Sequence, residues 1–216
     1  MAQTLKKALA EFLATALLVC VVVGSGIQAS KLSTDGGVNL LINISSIVLA
    51  LALIIVVFAP ISGAQLNPVV SILEWIAGVQ KFTQTLAFIV AQVAGAIAGA
   101  MFANVMFDLP ALQTSNHQRV TTGTLIGEVV ATAGLIALIG ILAKRGQNKW
   151  IPFAVAGWIY SACFFTSSTS FANPAVTIGR AFSDTYVGIA PSSVLPFILA
   201  QLVGGAIGFR ITKAVK

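Results

Sequence analysis

Residues 60–76 read PISGAQLNPVVSILEWI, and residues 166–182 read TSSTSFANPAVTIGRAF. Each stretch places an irregular run of small residues before an Asn-Pro pair and a short apolar segment with helical character after it. Asparagine is a favoured N-cap, and proline suits the first helical position because its missing N–H would have no partner there. The two stretches therefore predict helices that begin at Pro68 and Pro174 and are capped by Asn67 and Asn173.

The composition places these helices in a membrane. Of the 216 residues, 57% are hydrophobic and only 8% are charged, whereas a soluble domain carries about 25% charged residues. Each Asn-Pro helix, at about ten residues, would cover roughly 15 Å, or half of the hydrocarbon core. We predict an all-α membrane protein with two such re-entrant half-helices and six transmembrane helices, near residues 8–28, 39–60, 82–107, 122–143, 150–166 and 190–211.

Three motifs occur twice, in the same order, which indicates an internal duplication. AEFLATA at 10–16 resembles GEVVATA at 127–133, NPV at 67–69 resembles NPA at 173–175, and AQVAGAI at 91–97 resembles AQLVGGA at 200–206. We predict one channel domain, residues 1–216, built from repeats at approximately 1–110 and 118–216. Each repeat holds three spans, an odd number, so the second repeat inserts with the opposite orientation to the first. Inverted repeats of this kind place a shared pathway at the bilayer midplane.

The twelve basic residues predict the orientation, because Lys and Arg favour cytoplasmic loops. With the N-terminus in the cytoplasm, three of them lie outside, namely Lys31, Arg119 and Arg180. The other nine lie inside: Lys6, Lys7, Lys81, Lys144, Arg145, Lys149, Arg210, Lys213 and Lys216. We predict a multi-pass protein of the cell (plasma or inner) membrane with both termini cytoplasmic. The basic residues form no patch for nucleic acid, so membrane lipid is the expected surrounding partner.

The inverted arrangement predicts a pore at the midplane. The half-helices enter from opposite faces, so two positive helix N-termini face one lumen, and the amides of Asn67 and Asn173 can donate hydrogen bonds to a passing molecule. Such a lumen repels cations and holds water or a neutral solute. The alternative is two ordinary capped surface loops, which the matched positions of the two pairs disfavour.

These motifs resemble the major intrinsic protein family, the aquaporins and aquaglyceroporins, in a prokaryotic-type member. The resemblance rests on Asn67-Pro-Val, Asn173-Pro-Ala, the preceding ISGA at 61–64, the six spans and the repeated Glu, and it covers nearly the whole chain. It implies a homotetramer with a pore in every subunit. A carboxylate inside a span is costly unless it accepts hydrogen bonds, and the unpaired N–H groups of the irregular loops are suitable donors. We therefore expect Glu11 and Glu128 to support these loops, as the resemblance also implies; the alternative is that Glu11 lies at the membrane end and reaches toward water.

The resemblance implies an unusual outer constriction. Family members commonly carry Arg directly after Asn-Pro-Ala, where this chain has Val176, and the glycerol branch tends to have Asp where Thr177 stands. Gln65 replaces a His that is often found before the first motif. By ungapped correspondence, the four selectivity-filter residues are Ile47, Ser161, Ser170 and Val176.

A filter without arginine predicts a wide pore that passes water and small neutral solutes. The candidates are glycerol-like polyols, ammonia, urea and neutral metalloid acids such as arsenite. Arg180 lies four residues after Val176 on the same helix face, so its side chain could reach back to the mouth. The favoured interpretation is that Arg180 instead meets lipid headgroups or Asp184.

Two other classes of membrane protein fit the sequence less well. A secondary transporter also uses broken helices and inverted repeats, but it needs membrane-embedded acids beyond Glu11 and Glu128 to couple transport. A catalytic protein would need a cluster of reactive groups, whereas His117 stands alone in a loop. Cys20 and Cys163 are isolated in apolar runs, as core residues are. We therefore predict no catalytic residues, no metal and no cofactor.

Overall fold

The fold is all-α over residues 2–215, the part of the chain that the computed structural model describes. Lys216, one of the basic residues that predict the orientation, lies outside the described residues. These residues form eight α-helices and no strand. The helices are α1 (Ala2–Leu32), α2 (Gly36–Ser62), α3 (Pro68–Ile76), α4 (Phe82–Met106), α5 (Thr122–Lys144), α6 (Ile151–Phe165), α7 (Pro174–Arg180) and α8 (Pro191–Ala214).

Five of these helices are long and apolar enough to span a membrane, namely α1, α2, α4, α5 and α8. The predicted span at 150–166 corresponds to α6, which has only 15 residues and follows a 3₁₀ turn at Asn148–Trp150. At 1.5 Å per residue α6 covers about 22 Å, less than the bilayer core of about 30 Å. The order of long and short helices confirms the predicted fold of six membrane helices plus two half-helices.

The two halves of the chain pack in the same way. In the first half α1 lies against α4, and in the second half α5 lies against α8. Glycines allow these helices to approach closely, since a Cβ at Gly95 or Gly99 would collide with the backbone carbonyls of Phe12 or Ala16. The matching residues of α8, packed against α5, are Gly204 and Gly208.

The half-helices α3 and α7 begin at the two predicted prolines, Pro68 and Pro174. Asn67 Oδ1 accepts a hydrogen bond from the N–H of Val69 at 2.9 Å, and Asn173 Oδ1 accepts one from the N–H of Ala175 at 3.0 Å. These contacts are the expected N-caps, because the first N–H groups of a helix have no partner within it. The lengths are nine and seven residues, so α7 is shorter than predicted.

Candidate functional site

The loops that precede α3 and α7 meet inside the protein. The side-chain N–H of Asn67 donates to the carbonyl of Ala172 at 2.8 Å, and that of Asn173 donates to the carbonyl of Leu66 at 2.7 Å. Each asparagine therefore caps its own half-helix with its oxygen and binds the opposite loop with its nitrogen. This exchange holds the N-termini of α3 and α7 together.

Both loops adopt left-handed backbone at matching positions. Ala64 and Ser170, three residues before the asparagines, have φ values of 47° and 50°. Leu66 and Ala172, one residue before them, have φ values of 52° and 48°. Such conformations cost about 1–3 kcal/mol for a residue other than glycine and persist only where the surroundings impose them. Something near each loop must therefore stabilise it.

Glu11 stabilises the first loop from α1. Its carboxylate is fully buried. One oxygen accepts from Ser62 Oγ at 2.6 Å and from the N–H of Gln65 at 2.9 Å, and the other accepts from the N–H of Leu66 at 2.7 Å and from Gln92 Nε2 at 2.8 Å. With four donors, the carboxylate is well compensated for its burial. The alternative position for Glu11, at the membrane end, is wrong.

Glu128, which lies on α5, stabilises the second loop in the same way. It is also fully buried, with Oε1 accepting from the N–H of Phe171 at 2.8 Å. Its Oε2 accepts from the N–H of Ala172 at 2.9 Å and from Gln201 Nε2 at 2.6 Å. Gln92 and Gln201 occupy matching positions in the two repeats, and each donates a hydrogen bond to the glutamate of its own half.

A cavity of about 510 Å³ passes beside the two asparagines. Residues from both halves line it, and they include Lys7 and Gln84 toward one end and Leu40 and Tyr186 toward the other. Of the residues predicted to face a pore, those on the cavity wall are Asn67, Asn173, Ile47, Ser170, Val176 and Arg180.

The prediction for Ser161 is wrong. Ser161 is exposed on the outside of α6, whereas Ile159 and Cys163 line the cavity. A shift of two residues turns a helix by about 200°, which exchanges its inner and outer faces. The ungapped correspondence therefore placed the pore-facing side of α6 on the wrong residue. Cys163 donates its S–H to the carbonyl of Thr169, and so ties α6 to the second loop.

Arg180 is turned inward, contrary to the interpretation that favoured headgroups or Asp184. It is only 8% exposed, its Nε donates to the carbonyl of Val187 at 2.6 Å, and its guanidinium lies 3.4 Å from the centre of the Phe171 ring. Asp184 instead accepts from the backbone N–H of Asn116 at 2.9 Å. The positive charge of Arg180 is thereby held at the wall of the cavity.

Arg119 is a second arginine on the same wall, although the sequence alone predicts only that it lies in an outer loop. Its guanidinium lies 5.4 Å from the centre of the Phe171 ring and donates to the carbonyls of Gly188 and Tyr186. Burial lowers the pKa of Arg119, and the nearby Tyr186 opposes that shift. No local motif marks this position, because the contact depends on how the loop crosses the protein.

The loop that carries Arg119, residues 107–121, is fastened to the loop that follows α7. Ser115 donates its N–H to the carbonyl of Ala181 at 3.0 Å, and Ala190 donates its N–H to the carbonyl of His117 at 2.8 Å. The backbone N–H of Asn116 lowers the pKa of the Asp184 carboxyl, and the Asn116 side chain adds to that effect. These contacts fix the outer end of the cavity.

Gln65, where a His often stands in the family, belongs to a network at the other end. Its Oε1 accepts from Ser71 Oγ at 2.6 Å, and its Nε2 donates to Gln80 Oε1 at 3.1 Å. Gln80 in turn donates to Thr85 Oγ1 at 2.8 Å. The network joins the first loop to α3 and to the start of α4 without any titratable group.

Comparison with known proteins agrees with this architecture. Residues 1–165 match the family model described as major intrinsic protein. The aquaglyceroporin AqpS of Rhizobium meliloti (strain 1021) is 38% identical over 208 residues, covering 96% of this chain and 89% of that protein. Aquaporin Z of Brucella melitensis biotype 1 is 30% identical over 232 residues, covering 98% of each. The crystal structure of the aquaglyceroporin from Plasmodium falciparum has a TM-score of 0.76 at 19% identity, covering 98% and 96% of the two chains, and supports the fold alone.

Proposed function

Because the chain belongs to the major intrinsic protein family, we propose that it is a passive membrane channel for water and small uncharged solutes. The observation that carries this proposal is the meeting of the two Asn-Pro loops beside one cavity. Asn67 and Asn173 each use one side-chain N–H on the opposite loop. Each amide keeps a second N–H, and both residues line the cavity. A solute that accepts hydrogen bonds can therefore be held at this point.

Charge at the same point favours neutral solutes. The N-termini of α3 and α7 lie together, and each helix carries a partial positive charge at its N-terminus. Arg180 and Arg119 add full positive charges to the cavity wall. A cation passing this region loses its hydration shell and meets only like charge, whereas an uncharged molecule exchanges one set of hydrogen bonds for another.

The candidate solutes follow from the residues at the constriction. Val176 and Ile47 are smaller than the arginine and aromatic groups that narrow such a pore, and Ser170 is small as well. We infer a constriction wide enough for glycerol-like polyols, ammonia, urea and neutral metalloid acids such as arsenite. The relative at 38% identity bears the name aquaglyceroporin, which favours solutes larger than water.

We further propose a homotetramer in the cell (plasma or inner) membrane, with both termini in the cytoplasm. The distribution of Lys and Arg among the loops supports this orientation. Large apolar side chains such as Leu49, Leu53 and Phe102 are exposed on the outer surface of the bundle, as contact with lipid or neighbouring subunits requires. Passage through each subunit needs no catalytic group and no cofactor.

The test is swelling of liposomes that contain the purified protein, measured by stopped-flow light scattering with each solute in turn. We expect faster permeation than in empty liposomes for water, glycerol and urea, and no effect of ionophores that abolish ion gradients. Rapid passage of water alone would refute the wide constriction. Dependence on an ion gradient would show a coupled transporter instead.

A further inference from the structure

We propose that Arg119 and Arg180 form a binding site for a small oxyanion in the outer part of the cavity. This site goes beyond the proposed passage of uncharged solutes, because its ligand is charged. It rests on the proposed function only in that the bound anion would occupy the path of those solutes. The argument comes from the placement of two guanidinium groups and one aromatic ring.

The two guanidinium groups face the same aromatic ring. Arg180 lies 3.4 Å and Arg119 lies 5.4 Å from the centre of Phe171, and all three residues line the cavity. Stacking on the ring orients a guanidinium while leaving its N–H groups free for in-plane partners. The Phe171 ring is itself held by Phe197, at 5.2 Å between ring centres. The site is therefore preorganised.

Both arginines retain donors that the protein does not use. A guanidinium has five N–H donors. Within residues 2–215, Arg180 donates one hydrogen bond, from Nε to the carbonyl of Val187, and Arg119 donates two, to the carbonyls of Gly188 and Tyr186. The remaining N–H groups lie at the cavity wall, where a ligand with several acceptor atoms can reach them.

Neither charge of the pair is neutralised by direct contact with a carboxylate among the described residues. The Glu128 carboxylate attracts Arg180 from a distance, and it accepts its hydrogen bonds from Phe171, Ala172 and Gln201 instead. Two like charges in a partly dry site repel each other, and an anion between them removes that repulsion. An oxyanion suits guanidinium groups best, since two N–H donors can bind two of its oxygens in parallel.

The experiment uses nitrate, a small planar oxyanion that stays charged at neutral pH. Glycerol flux into liposomes is measured with rising nitrate at constant ionic strength, with gluconate, whose six-carbon chain is much bulkier than glycerol, as the balancing anion. We expect saturable inhibition by nitrate. Removing one charged hydrogen-bonding partner in Arg119→Gln or Arg180→Gln should raise the half-inhibitory concentration about tenfold or more. Arg180→Lys should restore part of the inhibition.

The matched control is Lys31→Gln, which removes a positive charge from an exposed residue that does not line the cavity. This variant should keep the inhibition of the unmodified protein. The proposal is overturned if nitrate has no effect on glycerol flux, or if both arginine variants are inhibited as strongly as the unmodified protein. In the latter case nitrate acts on the bilayer or on another surface.

A second measurement separates this proposal from the channel function. Nitrate bound to the folded state raises the Tm of the detergent-purified protein relative to gluconate. The increase should disappear in Arg119→Gln, whose folding is checked by its Tm in gluconate alone. An increase in Tm without any solute flux would refute the channel and retain the anion site. Flux without an increase in Tm would refute the anion site and retain the channel.

Discussion

Replacing Glu128 with Gln tests whether a buried carboxylate holds the second Asn-Pro loop in place. Glu128 accepts three hydrogen bonds, from the N–H groups of Phe171 and Ala172 and from Gln201 Nε2. Glutamine has the same shape but only one acceptor oxygen. In its better orientation it keeps the donors of Ala172 and Gln201 and turns an NH2 group toward the N–H of Phe171, which is then buried without a partner.

The expected loss can be estimated from these contacts. A hydrogen bond to a charged group contributes about 1.5–3 kcal/mol, and an unpaired buried N–H costs a similar amount. Because the two remaining bonds also lose their ionic character, we expect Glu128→Gln to lower the free energy of unfolding by roughly 2–5 kcal/mol. Glycerol flux should fall as well, since Ser170 and Asn173 belong to the loop that is released.

The assay is thermal unfolding in detergent together with flux in liposomes. Glu74→Gln is the matched control for stability, because the side chain of Glu74 is half-buried on α3 and its carboxylate accepts no hydrogen bond from any described residue. Its Tm should change by no more than about 2 °C, whereas that of Glu128→Gln should fall by roughly 5 °C or more. An unchanged Tm and an unchanged flux in Glu128→Gln would refute the supporting role of the carboxylate.

Three further predictions concern the wall of the cavity and its outer loop. Val176→Arg should reduce glycerol flux about tenfold or more and water flux less, because it adds bulk and donors at the constriction. If both fluxes equal those of the unmodified protein, Val176 does not line the constriction. Treatment with mercuric ion, whose affinity for sulfur is high enough to displace the proton of a buried thiol, should slowly reduce flux in a Cys20→Ala variant but not in Cys163→Ala, since only Cys163 of the two lines the cavity. The pKa of Asp184 is lowered by its hydrogen bonds from Asn116. These bonds therefore stabilise the loop fully when the pH is above the ordinary carboxyl pKa of about 4, and the stabilisation is lost as the pH falls through the lowered pKa. Proteolysis of the loop at 107–121 should therefore increase at low pH, and Asp184→Asn should show the increased cleavage at every pH, whereas Asp35→Asn should not.

The parts of the fold that follow from neighbouring residues were predictable from the sequence. Asn67 and Asn173 mark the starts of the half-helices because capping involves residues only two or three positions apart. The embedded glutamates indicated a supporting role because a carboxylate in a membrane needs donors, and the irregular loops were the available ones.

The parts that depend on rotation or on loop crossings were not predictable. Ser161 was chosen by counting along α6, and an error of two residues moved the prediction to the outer face. Arg119 is separated from Phe171 in sequence by two whole helices, α5 and α6, and meets it only because the loop at 107–121 folds over the second Asn-Pro loop. The inward turn of Arg180 depends on the carbonyl of Val187, which lies in the loop beyond α7.

These positions suggest that size selection and charge selection are separated in this pore. In a filter with arginine directly after Asn-Pro-Ala, one side chain both narrows the passage and supplies the charge. Here Val176 stands at that position, and Arg180 lies four residues further along α7, about 6 Å away along the helix axis. The passage can then be wide at Val176 while Arg180 and Arg119 keep a positive potential at its outer end.

The double variant Val176→Arg with Arg180→Gln would restore the common arrangement. It should pass less glycerol than the unmodified protein yet still exclude protons. If charge selection depends on Arg180, the variant Arg180→Gln should leak protons, and the double variant should not. An Arg180→Gln variant that does not leak protons would contradict this separation.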